Sequence, residues 1–125
     1  MSHDRIRVID GDTVRLAGDA KNTRLVGFNA PETHNAKCRR ERELGRQATD
    51  RLKELVSLGN AVLTKVACAC RPGTEGTRAC NFGRHCGTLR VNGNDVGRIL
   101  ISEQLAVPFR CGRTSCPKTP RPWCR

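Results

Sequence analysis

Ile6-Arg7-Val8-Ile9-Asp10-Gly11-Asp12-Thr13-Val14-Arg15-Leu16 and Arg24-Leu25-Val26-Gly27-Phe28 are both rich in β-branched and apolar residues. Gly18-Asp19 and Lys21-Asn22 separate them, so the two segments read as strands of a meander and a sheet opens the fold. Outward from them the period changes. Between Glu43 and Leu58 the apolar positions Leu44, Ala48, Leu52, Leu55 and Val56 recur at helical spacing, and Gly59 follows as a stop. Ala61 to Cys70 alternates again, with Val62, Thr64, Val66 and Cys68 on one side and Leu63, Lys65 and Ala67 on the other. Pro72-Gly73 and Gly76 turn the chain, and Thr88 to Val91 makes a return strand ending in the turn signal Asn92-Gly93-Asn94. Val96, Ile99, Leu100 and Leu105 then predict a second helix that ends near Gln104 to Ala106.

With one strand more before the first helix than the two named, the expected order is three strands, a helix, two strands and a helix, that of a five-stranded Greek-key OB barrel, a β-rich α+β fold that offers a groove to oligonucleotides. From Cys111 onward three cysteines, Gly112, Pro117, Pro120 and Pro122 form a tail without periodicity, which holds a shape only if cross-linked or docked. The expected organisation is one domain over residues 1–110, with the irregular tail 111–125 packed on it.

The 125 residues suffice for one core of their own. Lys and Arg number 23 against 12 Asp and Glu, a formal charge of +11, and 18 of the 23 are Arg. The planar guanidinium grips phosphate oxygens bidentately, so a polyanion is the natural partner, and nucleic acid fits this density of charge better than a membrane surface. No apolar run is long enough to span a membrane. Met1-Ser2-His3-Asp4 lacks the basic-then-apolar pattern of a leader peptide, whereas eight cysteines in a short chain point to an oxidising compartment. A leader removed upstream, with Met1-Ser2-His3 partly an artificial start, reconciles the two. The expected location is therefore periplasmic or secreted, with a cytosolic zinc-binding protein as the alternative.

Three short segments carry candidate chemistry: Val8-Ile9-Asp10-Gly11-Asp12-Thr13-Val14-Arg15-Leu16, Thr23-Arg24-Leu25-Val26-Gly27-Phe28-Asn29-Ala30-Pro31-Glu32-Thr33, and Asn81-Phe82-Gly83-Arg84. With the Glu43–Leu58 helix and the segment from Asp95 to Ala106, they resemble the staphylococcal nuclease (thermonuclease) family over roughly residues 6 to 109. The resemblance implies a metal-dependent nuclease of single-stranded DNA and RNA in which water attacks phosphorus and products carry 3′ phosphates. It places Asp12, position 29 and the Ala30 carbonyl around a Ca²⁺ ion, Asp10 behind them, Glu32 on the attacking water, and Arg24 and Arg84 on the phosphate.

The chemistry asks for the same residue types. A phosphodiester repels nucleophiles through its own negative charge, so its hydrolysis needs a cation on the non-bridging oxygens, a poised water, and donors for the charge that grows in the transition state. Asp12 supplies a hard oxygen ligand, and Pro31 fixes the backbone that presents Glu32. Taken singly, Asp12 reads as a turn residue, Arg24 as a solvated strand arginine and Glu32 as a surface acid; together, and in the right element order, they read as a site.

Two departures stand out. Asn29 occupies a position where the resembling family has a second aspartate, so the site loses a charge, and Ca²⁺ affinity, which tracks ligand charge, is expected to be weak until a substrate phosphate completes the shell. The chain has no tyrosine, although the family lines its nucleotide pocket with them; Phe82 and Phe109 stand near such positions and can stack on a base, or fill the core. A non-catalytic OB module that binds nucleic acid is the rival reading, and a cysteine-rich zinc or partner-binding domain a third.

Cys68 and Cys70 share one face of a predicted strand, with Cys80 and Cys86 beyond the turn. Cys70 with Cys80 and Cys68 with Cys86 are candidate disulfides, and a Zn²⁺ on these four thiolates is the alternative, though paired C-x2-C knuckles are missing. One of Cys111, Cys116 and Cys124 is expected to reach Cys38, fixing the tail where the family has a third helix. His3, His34 and His85 read as surface histidines. A monomer is expected.

Overall fold

The computed structural model describes residues 5–124; the expectations for Met1-Ser2-His3-Asp4, and the last tail residue Arg125, lie outside them. The chain runs β1 (Ile6–Asp10), β2 (Thr13–Leu16), β3 (Thr23–Leu25), β4 (Gly27–Asn29), α1 (Arg39–Ser57), β5 (Ala61–Val66), β6 (His85–Val91), β7 (Asn94–Asp95), α2 (Val96–Ser102) and β8 (Val107–Phe109). The main sheet has the order β1-β2-β3-β6-β5, with β7 hairpinned onto β6, and β4 pairs with β8 in a separate ribbon. The β3–β6 pair is parallel and the others are antiparallel.

Several sequence expectations are refined. The stretch Ile6–Leu16 is two strands, because Gly11-Asp12 turns the chain between Asp10 and Thr13 and a register shift between Val8 and Asp10 bends β1. Arg24–Phe28 also divides, at Val26, so that Gly27–Asn29 leaves the sheet and pairs with β8. α1 begins four residues earlier than Glu43, since Cys38 caps it: its Sγ accepts from the Glu41 N–H at 3.4 Å. β5 ends at Val66, and its Val62 and Val66 are exposed while Ala61 is buried. α2 ends at Ser102, before Gln104, whose φ of 64° breaks the helix.

The sheet is a curled half-barrel and not the closed barrel expected. Among the described residues β1 and β5 do not pair; α1 packs against β1, and α2 packs against β4 and β6, so helices and the β4–β8 ribbon cover the concave side in place of strand closure. Val14, Leu25, Phe28, Leu52, Leu89 and Leu100, each at most 2 % exposed, fill the space between. Two helices are present among the described residues, and no helix is long and apolar enough to cross a membrane.

Four disulfides complete the fold: Cys38–Cys124, Cys68–Cys86, Cys70–Cys80 and Cys111–Cys116. They include the two candidate pairings across the β5–β6 turn and the link from Cys38 to the tail. Such a set suits an oxidising compartment.

Candidate functional site

The site forms where the β1–β2 turn meets the end of β4 and the start of α1. Gly11 makes this meeting possible, since a Cβ there would fall 2.7 Å from that of Ala30 and 2.9 Å from that of Ala48. Asp12 is thereby carried down to the β4 exit and buried at 4 % exposure. Its Oδ2 accepts from the Ala30 N–H at 3.0 Å and pairs with the Arg24 Nη1 at 3.2 Å, and its Oδ1 accepts from the Thr13 hydroxyl at 3.1 Å. Asp10 sits behind it and accepts from the Asp12 N–H at 3.1 Å. Burial, with Asp12 adjacent and Glu32 nearby, pushes the Asp10 carboxyl up to about 7.

Arg24 binds the site together. Its Nη1 donates to the carbonyls of Leu25 (2.8 Å) and Phe28 (3.3 Å), and its Nη2 donates to the Asn29 Oδ1 at 3.0 Å. Asn29, 3 % exposed, in turn donates from Nδ2 to the Pro120 carbonyl at 2.8 Å. The amide's orientation follows from its partners, because a guanidinium can only donate and a carbonyl can only accept. Both atoms of the side chain are thus engaged, and an aspartate could make only one of the two bonds.

Glu32 stands half-buried at the edge of this cluster. Burial and the charge of Asp12 raise its pKa, against the pull of Arg121 and Arg24. Its backbone is held from two sides. Gly45 of α1 lies so close that a Cβ would meet the Glu32 carbonyl oxygen at 2.7 Å, and the Glu32 N–H donates to the Glu41 Oε2 at 3.1 Å. Glu41, 1 % exposed, also accepts from the Lys37 N–H at 2.9 Å and from the Arg121 guanidinium at 2.8 Å. Burial alone would raise the Glu41 pKa; the Lys37 and Glu32 N–H groups and Arg121 outweigh it and hold the carboxyl below its ordinary value.

Arg84 lies in the turn before β6. Asn81 fixes its fork, accepting from Nε through its carbonyl at 3.1 Å and from Nη2 through its Oδ1 at 2.7 Å. Burial and the like charge of Arg24 lower the Arg84 pKa, while Asp12, Asp10 and Glu32 oppose that shift. Phe82 is 73 % exposed, with the Arg84 guanidinium carbon 5.8 Å from its ring centre. Phe109 pairs with Gly27 in the β4–β8 ribbon and lines a cavity of about 440 Å³ that also touches Arg24, Val26, Asn81 and the Cys111–Cys116 loop.

The structure therefore gathers Asp10, Asp12, Arg24, Asn29, Ala30 and Glu32, with Arg84 in their electrostatic field, and sets Phe82 and Phe109 apart at the rim. His34 is exposed and His85 half-buried in β6, and among the described residues neither side chain makes a hydrogen bond. Among those residues no three His, Cys, Asp or Glu side chains group as a metal site. The four sulfurs of Cys68, Cys70, Cys80 and Cys86 are engaged in disulfides, which removes the thiolates that zinc would need.

Sequence reasoning missed Glu41, Asn81, Pro120 and Arg121. Glu41 had a signal, since Cys38-Arg39-Arg40-Glu41 has the spacing of a capping box with cysteine in place of serine or threonine. The tail residues had none, because their partners lie 80 or more positions away. No protein-family model and no curated protein matches the chain.

Proposed function

We propose that this chain hydrolyses phosphodiester bonds in single-stranded DNA or RNA with the help of a divalent cation, Ca²⁺ first among candidates. The observation that supports it most is the pairing of buried Asp12 with Arg24 at 3.2 Å, with Asp10 bonded to the Asp12 N–H and Asn29 to the same guanidinium; Glu32 and Arg84, from two further segments, feel the charge of this cluster. A core has no use for such a cluster, whereas a phosphate needs both signs. We read the half-barrel as an OB barrel left open between β1 and β5, on the strength of its strand order and the parallel β3–β6 pair.

In this reading Arg84, with its fork fixed by Asn81, donates to the non-bridging oxygens. Glu32 orients the attacking water and takes its proton as the new P–O bond forms; the P–O5′ bond breaks with its electron pair on O5′, which is protonated to a 5′ hydroxyl, and the other product keeps a 3′ phosphate. Its raised pKa brings it closer to the value that suits a base near neutrality. Asp12, the Asn29 Oδ1 and the Ala30 carbonyl are hard oxygen donors of the kind calcium takes. A bound cation would neutralise the charge of the phosphate. Arg24 stands against two of these donors, so cation and guanidinium compete, and firm binding is expected once a phosphate draws Arg24 away. The cavity of about 440 Å³ beside Arg24 has the size for a nucleoside, with Phe109 in its wall.

The test is cleavage of single-stranded DNA with Ca²⁺, with and without EDTA, by the parent, Glu32→Ala and Arg84→Ala. The reading requires EDTA-sensitive cutting and a loss of about 100-fold or more in each variant. The rival, a nucleic-acid-binding module without chemistry, draws on the Arg24–Asp12 pair and the Arg24–Asn29 Oδ1 bond, both of which occupy would-be ligand atoms. It predicts a salt-dependent shift of the same DNA with no cleavage.

A further inference from the structure

α1 carries a separation of charge that the site does not use. At the α-helical turn of about 100° per residue, Arg39, Arg42, Arg46 and Lys53 fall within a flank about 60° wide, and Glu43, Asp50 and Glu54 fall on the next flank. All four cations are exposed, and among the described residues none forms an ion pair. Arg51, on another face, is by contrast paired with Glu54 and Glu103. Arg39, Arg42 and Arg46 stand at spacings of three and four, where like charges destabilise a helix, and although Glu43 and Asp50 lie at the same spacings from Arg39, Arg46 and Lys53, no ion pair forms among the described residues to offset the repulsion.

The flank is also placed to matter. Gly45, which touches the Glu32 backbone, neighbours the Arg42 edge of the stripe, and from Arg39 to Lys53 the stripe runs about 21 Å along the helix. A row of unpaired cations leading away from a phosphate-handling site complements a polyanion that extends beyond that site.

We infer that this flank of α1 is a phosphate track, which holds the backbone of a single-stranded polynucleotide for several residues beyond the bond at Glu32. The substrate is then a chain and not a dinucleotide. The inference builds on the proposed nuclease reading for its orientation, but the binding can be measured with cleavage switched off.

The experiment is fluorescence anisotropy in EDTA with labelled oligothymidylates of about fifteen and about three nucleotides, from about 50 to 200 mM salt. Arg42→Gln/Arg46→Gln/Lys53→Gln is compared with Arg7→Gln/Arg90→Gln/Arg98→Gln, which removes the same charge from exposed positions elsewhere. Loss of about two from the slope of log K against log salt on the long oligomer, with little change on the short one and a smaller change in the control triple, is expected. Equal losses in both triples, or none in either, would overturn the track. So would a stripe triple that loses binding to vesicles of phosphatidylserine and phosphatidylcholine but keeps the long oligomer. A parent that binds in this way without cutting removes the nuclease reading alone; a parent that cuts, with a stripe triple whose slope is unchanged, removes the track alone.

Discussion

The Asn29 side-chain amide donates to the Pro120 carbonyl at 2.8 Å, joining β4 to the tail 91 residues later. The same amide accepts from Arg24, which also pairs with Asp12. The asparagine therefore contributes to docking the tail, and under the proposed function it also costs the site a ligand charge. Asn29→Asp separates the two roles. It removes the donor to a part-buried carbonyl and sets two acceptors against each other, so the variant should lose about 1–3 kcal/mol of stability, read as a lower melting temperature in EDTA. Its added charge should tighten Ca²⁺ binding in calorimetry. Unchanged melting would show that the Pro120 contact contributes nothing.

The disulfides should rank by the loops they close. In the chain-entropy account Cys38–Cys124, spanning 86 residues, contributes about 4.5 kcal/mol, and Cys111–Cys116, spanning five, about 2 kcal/mol. Cys38→Ser/Cys124→Ser is the informative pair, because a serine hydroxyl can replace the sulfur that caps α1. It should melt well below Cys111→Ser/Cys116→Ser and release the tail to limited proteolysis. An equal loss in the two pairs would remove loop length as the explanation.

The legibility of this chain follows the range of its interactions. α1 was visible because its buried positions repeat every three or four residues, and Cys70–Cys80 and Cys68–Cys86 because each partner lies across one turn. The motifs singled out Asp12 and Arg24, which the fold pairs; that Arg24 also spends its terminal nitrogens on Leu25, Phe28 and Asn29 was not legible, since this depends on where β4 leaves the sheet. The open edge between β1 and β5 was hidden for a related reason: strand order is written in the alternation of residues, but barrel closure depends on what else covers the edge. Glu41 and Arg121 meet where the tail is strapped to Cys38, a contact set by residues far apart in the chain.

Glu41 makes the acid stability of the protein predictable. Its folded pKa lies below its ordinary value of 4.5, so the stability it contributes is present above that value and is lost as pH falls through the lower, folded one. Melting temperature should therefore decline below about pH 4.5 more steeply in the parent than in Glu41→Gln. At neutral pH Glu41→Gln should be less stable by about 1.5–3 kcal/mol, as hydrogen bonds to a charged group are lost. Parallel melting curves from pH 7 down to 3 would show that Glu41 is not the group responsible.

Phe82 and Phe109 should respond differently to truncation. Phe82 is 73 % exposed beside Arg84, so Phe82→Ala removes little burial and should shift stability by no more than about 0.5 kcal/mol. If its ring stacks on a base, the same change should weaken binding of a single-stranded oligonucleotide in EDTA by about 1–3 kcal/mol, about fivefold at the least. Phe109 is half-buried in the β4–β8 ribbon and walls the cavity, so Phe109→Ala should lower both melting temperature and affinity. Anisotropy and thermal melts on the two variants separate the cases: a Phe82→Ala protein that melts early and binds as the parent does would make this ring a packing element and leave the platform beside Arg84 without a function.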